Sequence, residues 1–454
     1  MKFPRYAEYK DSGVEWLGEV PGHWDVWKAS HAFASIGSGT TPPSGEIEWY
    51  EDGVVPWVTT GELRDKWVYE TEKMISEPAL RKFSSLRVHP AGALVIAMYG
   101  ATIGRLGILG VDATTNQACC VLSNPLHVSV GFMFYWFLGK KNFIIDMYAT
   151  GGGQPNINRE IIASLRVAAP VMTEQSAIAA FLDRETFKID ALVAEQENLI
   201  ALLKEKRQAV ISHAVTKGLN PAAPMKDSGI EWLGEVPGHW KVGAIKYFVL
   251  AKDGAIKTGP FGSHLTSADM QSGTIKVYNQ RSVIDADFDA GENFISEKKF
   301  AELASFETFP GDLLITTRGT IGRAAILPEN AERGILHPCL LRLQPDNSQV
   351  DTKFLMTLIQ DSDLMKTQLN YLSNATTIDV IYSCTIASVI IPVPPVSEQD
   401  AIMQFLADQT TQLDTLTTEA HRAIDLLKER RSALISAVVT GKIDVRGLVP
   451  MEAV

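Results

Sequence analysis

Two long stretches of the chain carry apolar residues in one seven-residue register, marked by Leu182, Ile189, Leu203 and Val210 in the first and by Leu406, Leu413, Leu427 and Leu434 in the second. Neither run is interrupted by proline or glycine before Gly218 and Gly441, and Thr173 and Ser397, each closely preceded by proline, stand where helix N-caps belong. The pattern predicts two helices of about 45 residues, roughly 65 to 70 Å long at about 1.5 Å per residue. Gln196 and Ala420 interrupt the register, and Glu185 and Lys206 occupy intervening core-type positions. A short two-helix coil is therefore expected in place of a long fibrous one.

The blocks between these runs alternate apolar and polar residues and are punctuated by Gly, Pro, Asn and Asp, which predicts strands and turns. Short helical stretches such as residues 296–306 are mixed in, so the blocks read as α+β domains.

The pattern occurs twice. KDSGVEWLGEVPGHWDV at 10–26 returns as KDSGIEWLGEVPGHWKV at 226–242, differing only at Val14/Ile230 and Asp25/Lys241. A weaker echo follows, with Ile36, Gly39, Gly53 and Val55 matched by Ile256, Gly259, Gly273 and Ile275. PAGALVIAMYGATIGRLGIL at 90–109 matches PGDLLITTRGTIGRAAIL at 310–327, and the segment 173–218 matches 397–442. Repetition at this scale sets the architecture. The expected division is a leader (1–26), a first variable domain (27–168), a first helix (169–220), a repeated leader (221–242), a second variable domain (243–393), a second helix (394–443) and a tail (444–454). Leaders and helices stay alike while the domains diverge.

In both helices acids gather early (Glu174, Asp183, Glu185; Glu398, Asp400, Asp408) and bases late (Lys204, Lys206, Arg207; Lys428, Arg430, Arg431). Laid antiparallel, the helices would set acid against base at both ends. An ordinary solvent face obeying the helix dipole gives the same order, so charge alone leaves both readings open. Connectivity favours the antiparallel pair: the first helix delivers the chain to the second domain, and the second can return. Two heads related by a pseudo-twofold axis are expected, a geometry suited to two DNA half-sites at fixed spacing.

A length of 454 residues, 46% of them hydrophobic and 21% charged, is globular and allows two to four domains. Cys119, Cys120, Cys339 and Cys384 form no CxxC pair, so no disulfide framework or zinc site is expected, and they read as small buried residues in a reduced cytosol. The start MKFPRYAEYK lacks a signal core, and the most apolar stretch, residues 131–139, is too short to span a bilayer, so a cytoplasmic protein without membrane contact is expected. The net charge of −11 opposes nucleic-acid binding through bulk positive charge. That objection weakens where bases gather on one face or a basic partner neutralises phosphate.

The ordered set of motifs resembles the specificity subunit of type I restriction-modification enzymes over nearly the whole chain. It comprises WLGEVPGHW twice, SGTTPPSG at 38–45 with TGPFGSHL at 258–265, two TIGR segments, GGGQPNIN at 151–158, and two helices opening with EQ and ending in LLKEKR or LLKERR. The resemblance implies two target-recognition domains, each contacting one part of a bipartite double-stranded DNA site, and paired helices acting as spacer and dock for methyltransferase subunits, two in number, within a complex that also holds restriction and translocase subunits. One departure stands out: the second half has SNATTIDVI at 373–381 where the first has the glycine-rich loop.

No phosphate loop, HExxH zinc motif or methyltransferase cofactor loop with an NPPY-type tetrapeptide occurs, so no catalytic residue, metal or cofactor is expected. The competing class is a non-catalytic bimodular scaffold that binds only proteins. Candidate DNA contacts are Gln154, Asn156 and Asn158, whose amides suit adenine edges if their loop enters a groove, though a plain tight loop fits equally. Thr59, Thr60, Glu62 and Arg64 follow the strand-like VVPWV, and Asn279, Gln280 and Arg281 stand correspondingly after TIKVY. Tyr99, Arg105, Arg318 and Arg323 flank what read as TIGR strands, where the arginines suit phosphate or guanine, and at the matched pair Arg105 and Arg323 a structural salt bridge fits as well. His23 and His239 read as buried or capping, and the leader tryptophans as packing residues.

Overall fold

Asp11, Gly13 and Ser12 of the leader form a tight turn, in which the Asp11 carboxylate accepts from Gly13 N at 2.9 Å. The turn closes a hairpin of Tyr9–Asp11 with Glu19–Pro21, and the repeated leader builds the same hairpin from Met225–Asp227 and Glu235–Pro237. The turn bond recurs there as well, the Asp227 carboxylate accepting from Gly229 N at 2.9 Å. The computed structural model describes residues 3–149, 156–362, 364–365, 367–368 and 380–448. The chain divides into two compact units, one of Met1–Gln196 with His421–Val454 and the other of Glu197–Ala420.

The first unit holds a five-stranded sheet in the order Phe33–Ser38, Cys119–Pro125, Leu94–Ala97, Leu106–Leu109, Lys66–Val68, antiparallel except for the last, parallel pair. A smaller sheet of Thr114–Thr115, Val55–Val58 and Met74–Ile75 sits beside it in sequence, again with one parallel pair. Asp25–Lys28 pairs with Arg166–Ala169, closing the variable block on itself. The apolar run at 131–139 lies in the helix Val130–Tyr148, where Phe132 to Phe137 are buried in the core. Among the described residues no helix is long and apolar enough to cross a membrane.

The second unit repeats the plan. Ile256–Thr258, Leu340–Leu343, Leu313–Thr316 and Ala324–Ile326 form one sheet. Phe294–Ile295, Ile275–Tyr278, Gly334–Leu336 and Glu307–Thr308 form the other, whose Ile275–Tyr278 and Gly334–Leu336 pair is parallel like its counterpart. Lys241–Ala244 pairs with Ile390–Val393. The helical stretch expected at 296–306 is an α-helix, Glu297–Leu303, ending in a 3-10 turn. The α+β class and the internal repeat both hold.

The weakly echoed glycines have a steric cause. A Cβ on Gly39 would lie 1.6 Å from the Thr115 carbonyl oxygen, and one on Gly259 would lie 2.1 Å from that of His337. Each of these glycines passes the facing backbone too closely for any side chain.

The helices are Met172–Lys217, 46 residues, and Val396–Val439, 44 residues. Each begins two residues earlier than those caps imply: Glu174 N and Gln175 N donate to the carbonyl of Val171, and Glu398 N and Gln399 N to that of Pro395. Thr173 and Ser397 therefore lie inside the first turn and do not cap it. The next two side chains are committed to holding the helix in place. Glu174 accepts from Trp24 Nε1 at 3.2 Å and meets His23 Nε2 at 2.9 Å, while Glu398 does the same with Trp240 at 3.1 Å and His239 at 2.7 Å. The GHW of each leader is thus a clamp on the E of each EQ. Gln175 bonds Ser129 N, His127 O and Pro170 O, and Gln399 bonds Asp351 N, Gln349 O and Pro394 O. The two tryptophans and two glutamines are essentially fully buried.

In the first unit Trp24 reaches both Glu174 and Gly441, and further along Arg431 pairs with Asp190 at 3.0 Å. The helix segments there run antiparallel. In the second unit Trp240 reaches Glu398 and Gly218, and Arg207 pairs with Asp414 at 3.4 Å, the matched ion pair. Of the register positions Leu182, Ile189, Leu203, Leu406, Leu413 and Leu434 are buried and Val210 and Leu427 half-buried, while Ala420, read as an interruption, is buried too.

Candidate nucleic-acid interface

In the first unit one end of the sheets gathers loops from distant parts of the chain. Asn116 N donates to Val58 O at 3.0 Å, Met98 N to Ala118 O at 2.8 Å, Ile157 N to Met98 O at 2.9 Å and Thr40 N to Thr115 O at 3.1 Å. The Thr41 hydroxyl bonds the Gln117 side chain, and Tyr99 faces Asn156 in an isolated bridge. Asp65 N donates to Leu106 O, and Leu106 N to the Asp65 carboxylate, each at 2.8 Å. That reciprocal pair brings the backbones of Arg64 and Arg105 together.

The second unit builds the same frame. His337 N donates to Tyr278 O, Thr317 N to Cys339 O and Ile381 N to Thr317 O, each at 2.9 Å. Arg318 faces Val380, as Tyr99 faces Asn156. Three backbone bonds recur place for place, yet Tyr99 becomes Arg318, Asn156 becomes Val380 and Asn116 becomes His337. The frame is shared and its side chains are not.

TIGR forms the turn of this frame and no strand: it joins Leu94–Ala97 to Leu106–Leu109 and Leu313–Thr316 to Ala324–Ile326. Its Gly104 and Gly322 have φ of +72° and +78°, a conformation that glycine adopts without strain. The turn lifts Arg105 and Arg323 into solvent, and Arg64 and Arg318 are exposed too. Among the described residues none of these four guanidinium groups forms an ion pair, so the salt-bridge reading of Arg105 and Arg323 gains no partner. Gln280 is drawn into the frame, its Nε2 donating to Arg318 O at 2.8 Å. Arg281 is exposed and pairs with Asp285 at 3.2 Å.

Other candidates have local duties. Glu62 accepts from Thr59 N at 2.6 Å and from the Thr59 hydroxyl, and its second oxygen accepts from Glu72 N at 3.3 Å, so it holds a turn that leaves Thr60 half-buried. Asn158 caps the helix Arg159–Ser164 through Ile161 N at 2.8 Å. Asn279 caps Gln280–Ile284 through Arg281 N at 2.9 Å and Ser282 N at 3.2 Å. Gln154 lies outside the described residues, as does most of SNATTIDVI. Asn116, Gln117, His337, Phe261 and Tyr382 join the frame without having been singled out. The only signal pointing to any of them was the TTPP and GPFG motifs.

Burial depresses the proton affinity of His337, leaving a neutral ring whose Nδ1 accepts from Cys339 N at 3.2 Å. Burial pushes the Cys120 thiol up to about 12 and Cys119 higher still. Two cysteines depart from the expectation of burial, Cys339 being half-buried and Cys384 exposed at the rim of the frame. In the folded chain a thiol-specific chromophore should label Cys384 promptly, and Cys119 and Cys120 only after unfolding. Prompt labelling of all four thiols would contradict this arrangement. Among the described residues no group of three His, Cys, Asp or Glu side chains is placed to hold a metal ion.

Residues 23–201 and 262–425 match the family model of the type I restriction modification DNA specificity domain. The matched stretches make up most of the chain, which therefore belongs to that family: it is a specificity subunit, a non-catalytic component of a type I restriction-modification system. The specificity subunit of MjaVIII from Methanocaldococcus jannaschii is 22% identical over 437 residues, covering 94% of this chain and 95% of its own. That of EcoKI from Escherichia coli K12 is 20% identical over 438 residues, covering 94% and 90%. The HsdS subunit of Thermoanaerobacter tengcongensis shares the fold with a TM-score of 0.55 at 14% identity, over 93% of this chain and 98% of that one. A chain solved in work on assembly and conformational transition of the type I R-M system gives a TM-score of 0.67, also at 14% identity, over 92% and 98%.

Proposed function

We propose that residues 27–168 and 243–393 each read one half of a bipartite double-stranded DNA site. The observation that carries this reading is the repeated hydrogen-bonded loop frame, whose matched positions hold different side chains. Tyr99, Arg64, Arg105, Asn156, Asn116 and Gln117 would face one half-site, and Gln280, Arg281, Arg318, Arg323 and His337 the other. Arginine suits guanine bidentately and amides suit adenine. Glu62, Asn158 and Asn279 shape the loops, with Thr59 and Thr60, and Gln154 keeps its place as a candidate.

The helices, continuous and free of internal proline and glycine, fix the spacing between half-sites and dock methyltransferase subunits, two in number, in a cytoplasmic complex with restriction and translocase subunits. Those partners supply the phosphate neutralisation that a chain of net charge −11 cannot. The acidic balance also suits a scaffold binding only proteins. Fluorescence anisotropy against a pool of random duplexes, with methyltransferase subunits present, separates the two. The DNA-reading account predicts enrichment of one split sequence, and the absence of any sequence preference would sink it.

A further inference from the structure

The second unit carries an aromatic projection for which the first has no counterpart. After the strand Ile256–Thr258 the chain turns through Gly259, Pro260, Phe261 and Gly262, and the Phe261 ring is 79% exposed. At the matched place in the first unit stands Thr41, whose hydroxyl is engaged by Gln117. Phe261 overhangs a cavity of about 500 Å³, lined also by Lys257, Phe306, Arg318, Tyr382 and Ser383. Tyr382 is itself 60% exposed. Among the described residues the lining holds two cations and no carboxylate, in a chain that carries 53 acidic residues against 42 basic ones.

Lys257 lies over the Phe306 ring at 4.7 Å and Phe261 meets His264 edge-on at 6.3 Å, contacts that still leave Phe261 and Tyr382 largely in water beside two cations. Phenylalanine is strongly favoured inside, and a rigid apolar tip rimmed by cations matches a surface that offers stacked rings between phosphates. Duplex DNA has that composition. Apolar side chains set beside basic ones are known to enter between base steps and partly unstack them.

We propose that Phe261 is a wedge: it presses its ring into the base stack at one step of the half-site read by residues 243–393. Tyr382 offers a second apolar surface, and Lys257 meets a flanking phosphate, while Arg318 keeps the base-reading place given to it above. Pro260 limits the loop's freedom before binding, which lowers the entropy lost on insertion. The proposal rests on the DNA-reading account above and adds a local distortion that only one half-site undergoes.

The test uses the full chain with its methyltransferase subunits and duplexes carrying the mapped site, with 2-aminopurine placed at successive positions of both half-sites. Wild-type protein should raise the fluorescence several-fold at one step, in the half-site of the second domain alone. Phe261→Ala should remove that rise and weaken binding by about tenfold, with thermal unfolding unchanged because the ring is exposed. Phe261→Leu, still apolar, should keep part of the rise.

An unchanged rise in Phe261→Ala overturns the wedge, as does a wild-type complex seen by anisotropy without a rise at any step. Release of the methyltransferase subunits by Phe261→Ala would place the ring at a protein contact and overturn it too. If wild-type protein binds no duplex at all, the DNA-reading account itself fails, an outcome distinct from these.

Discussion

Gln399→Ala should lower the stability of the Glu197–Ala420 unit by about 3 kcal/mol or more, the largest loss expected from any single polar truncation here. The side chain is fully buried and makes three hydrogen bonds, to Asp351 N at 2.7 Å, Gln349 O at 2.9 Å and Pro394 O at 2.8 Å. Each such bond contributes about 1 kcal/mol, and leaving buried backbone groups without partners costs as much again. Gln399→Glu should fare little better, because a carboxylate cannot donate to two carbonyl groups. Gln175→Ala should produce the matching loss in the other unit. Two compact units need not unfold together, so the readout is urea unfolding followed by hydrogen exchange, unit by unit. A loss below about 0.5 kcal/mol, the usual range of a surface substitution, would show that the EQ motif does not anchor the helices.

The second large effect concerns reading. With methyltransferase subunits present, Arg318→Ala should weaken specific binding by about 1 to 3 kcal/mol and relax sequence preference within one half-site only. Its guanidinium is exposed and has no ion-pair partner among the described residues, so truncation disturbs little of the fold. Arg105→Ala should do the same at the other half-site. A salt titration separates base reading from phosphate contact. A lost phosphate contact weakens all sequences alike and reduces the slope of log affinity against log salt by about one. Uniform weakening by Arg318→Ala would therefore remove it from the set of base readers.

The repeat, the α+β class and the two long helices were legible in the sequence because each is a local pattern written twice. The helix starts were legible to within two residues. Thr173 and Ser397 have the chemistry of caps, but the carbonyls of Val171 and Pro395 take the first bonds while Glu174 and Gln175, with their counterparts, reach outward to the leaders. No pattern along the chain announces a bond between residues 24 and 174. The same holds at the loop frame, where Asn116 reaches Val58 and Ile157 reaches Met98 only because strands pair. Asparagine and glutamate were ambiguous by nature. The oxygens that suit a base edge also suit a helix end or a turn, and in Asn158, Asn279 and Glu62 the fold uses them locally. At the tight turns Arg105 and Arg323 are exposed and form no ion pair among the described residues, so no local use of that kind competes for them.

The most direct test of two independent readers on a shared frame is to exchange residues 27–165 for the equivalent block of a relative with known specificity. The methylation pattern that the assembled enzyme writes on genomic DNA would then be mapped. Two independent readers predict one bipartite motif whose first or second half takes the donor's sequence, with the other half and the spacing unchanged. A change in both halves, or in the spacing alone, would contradict that account.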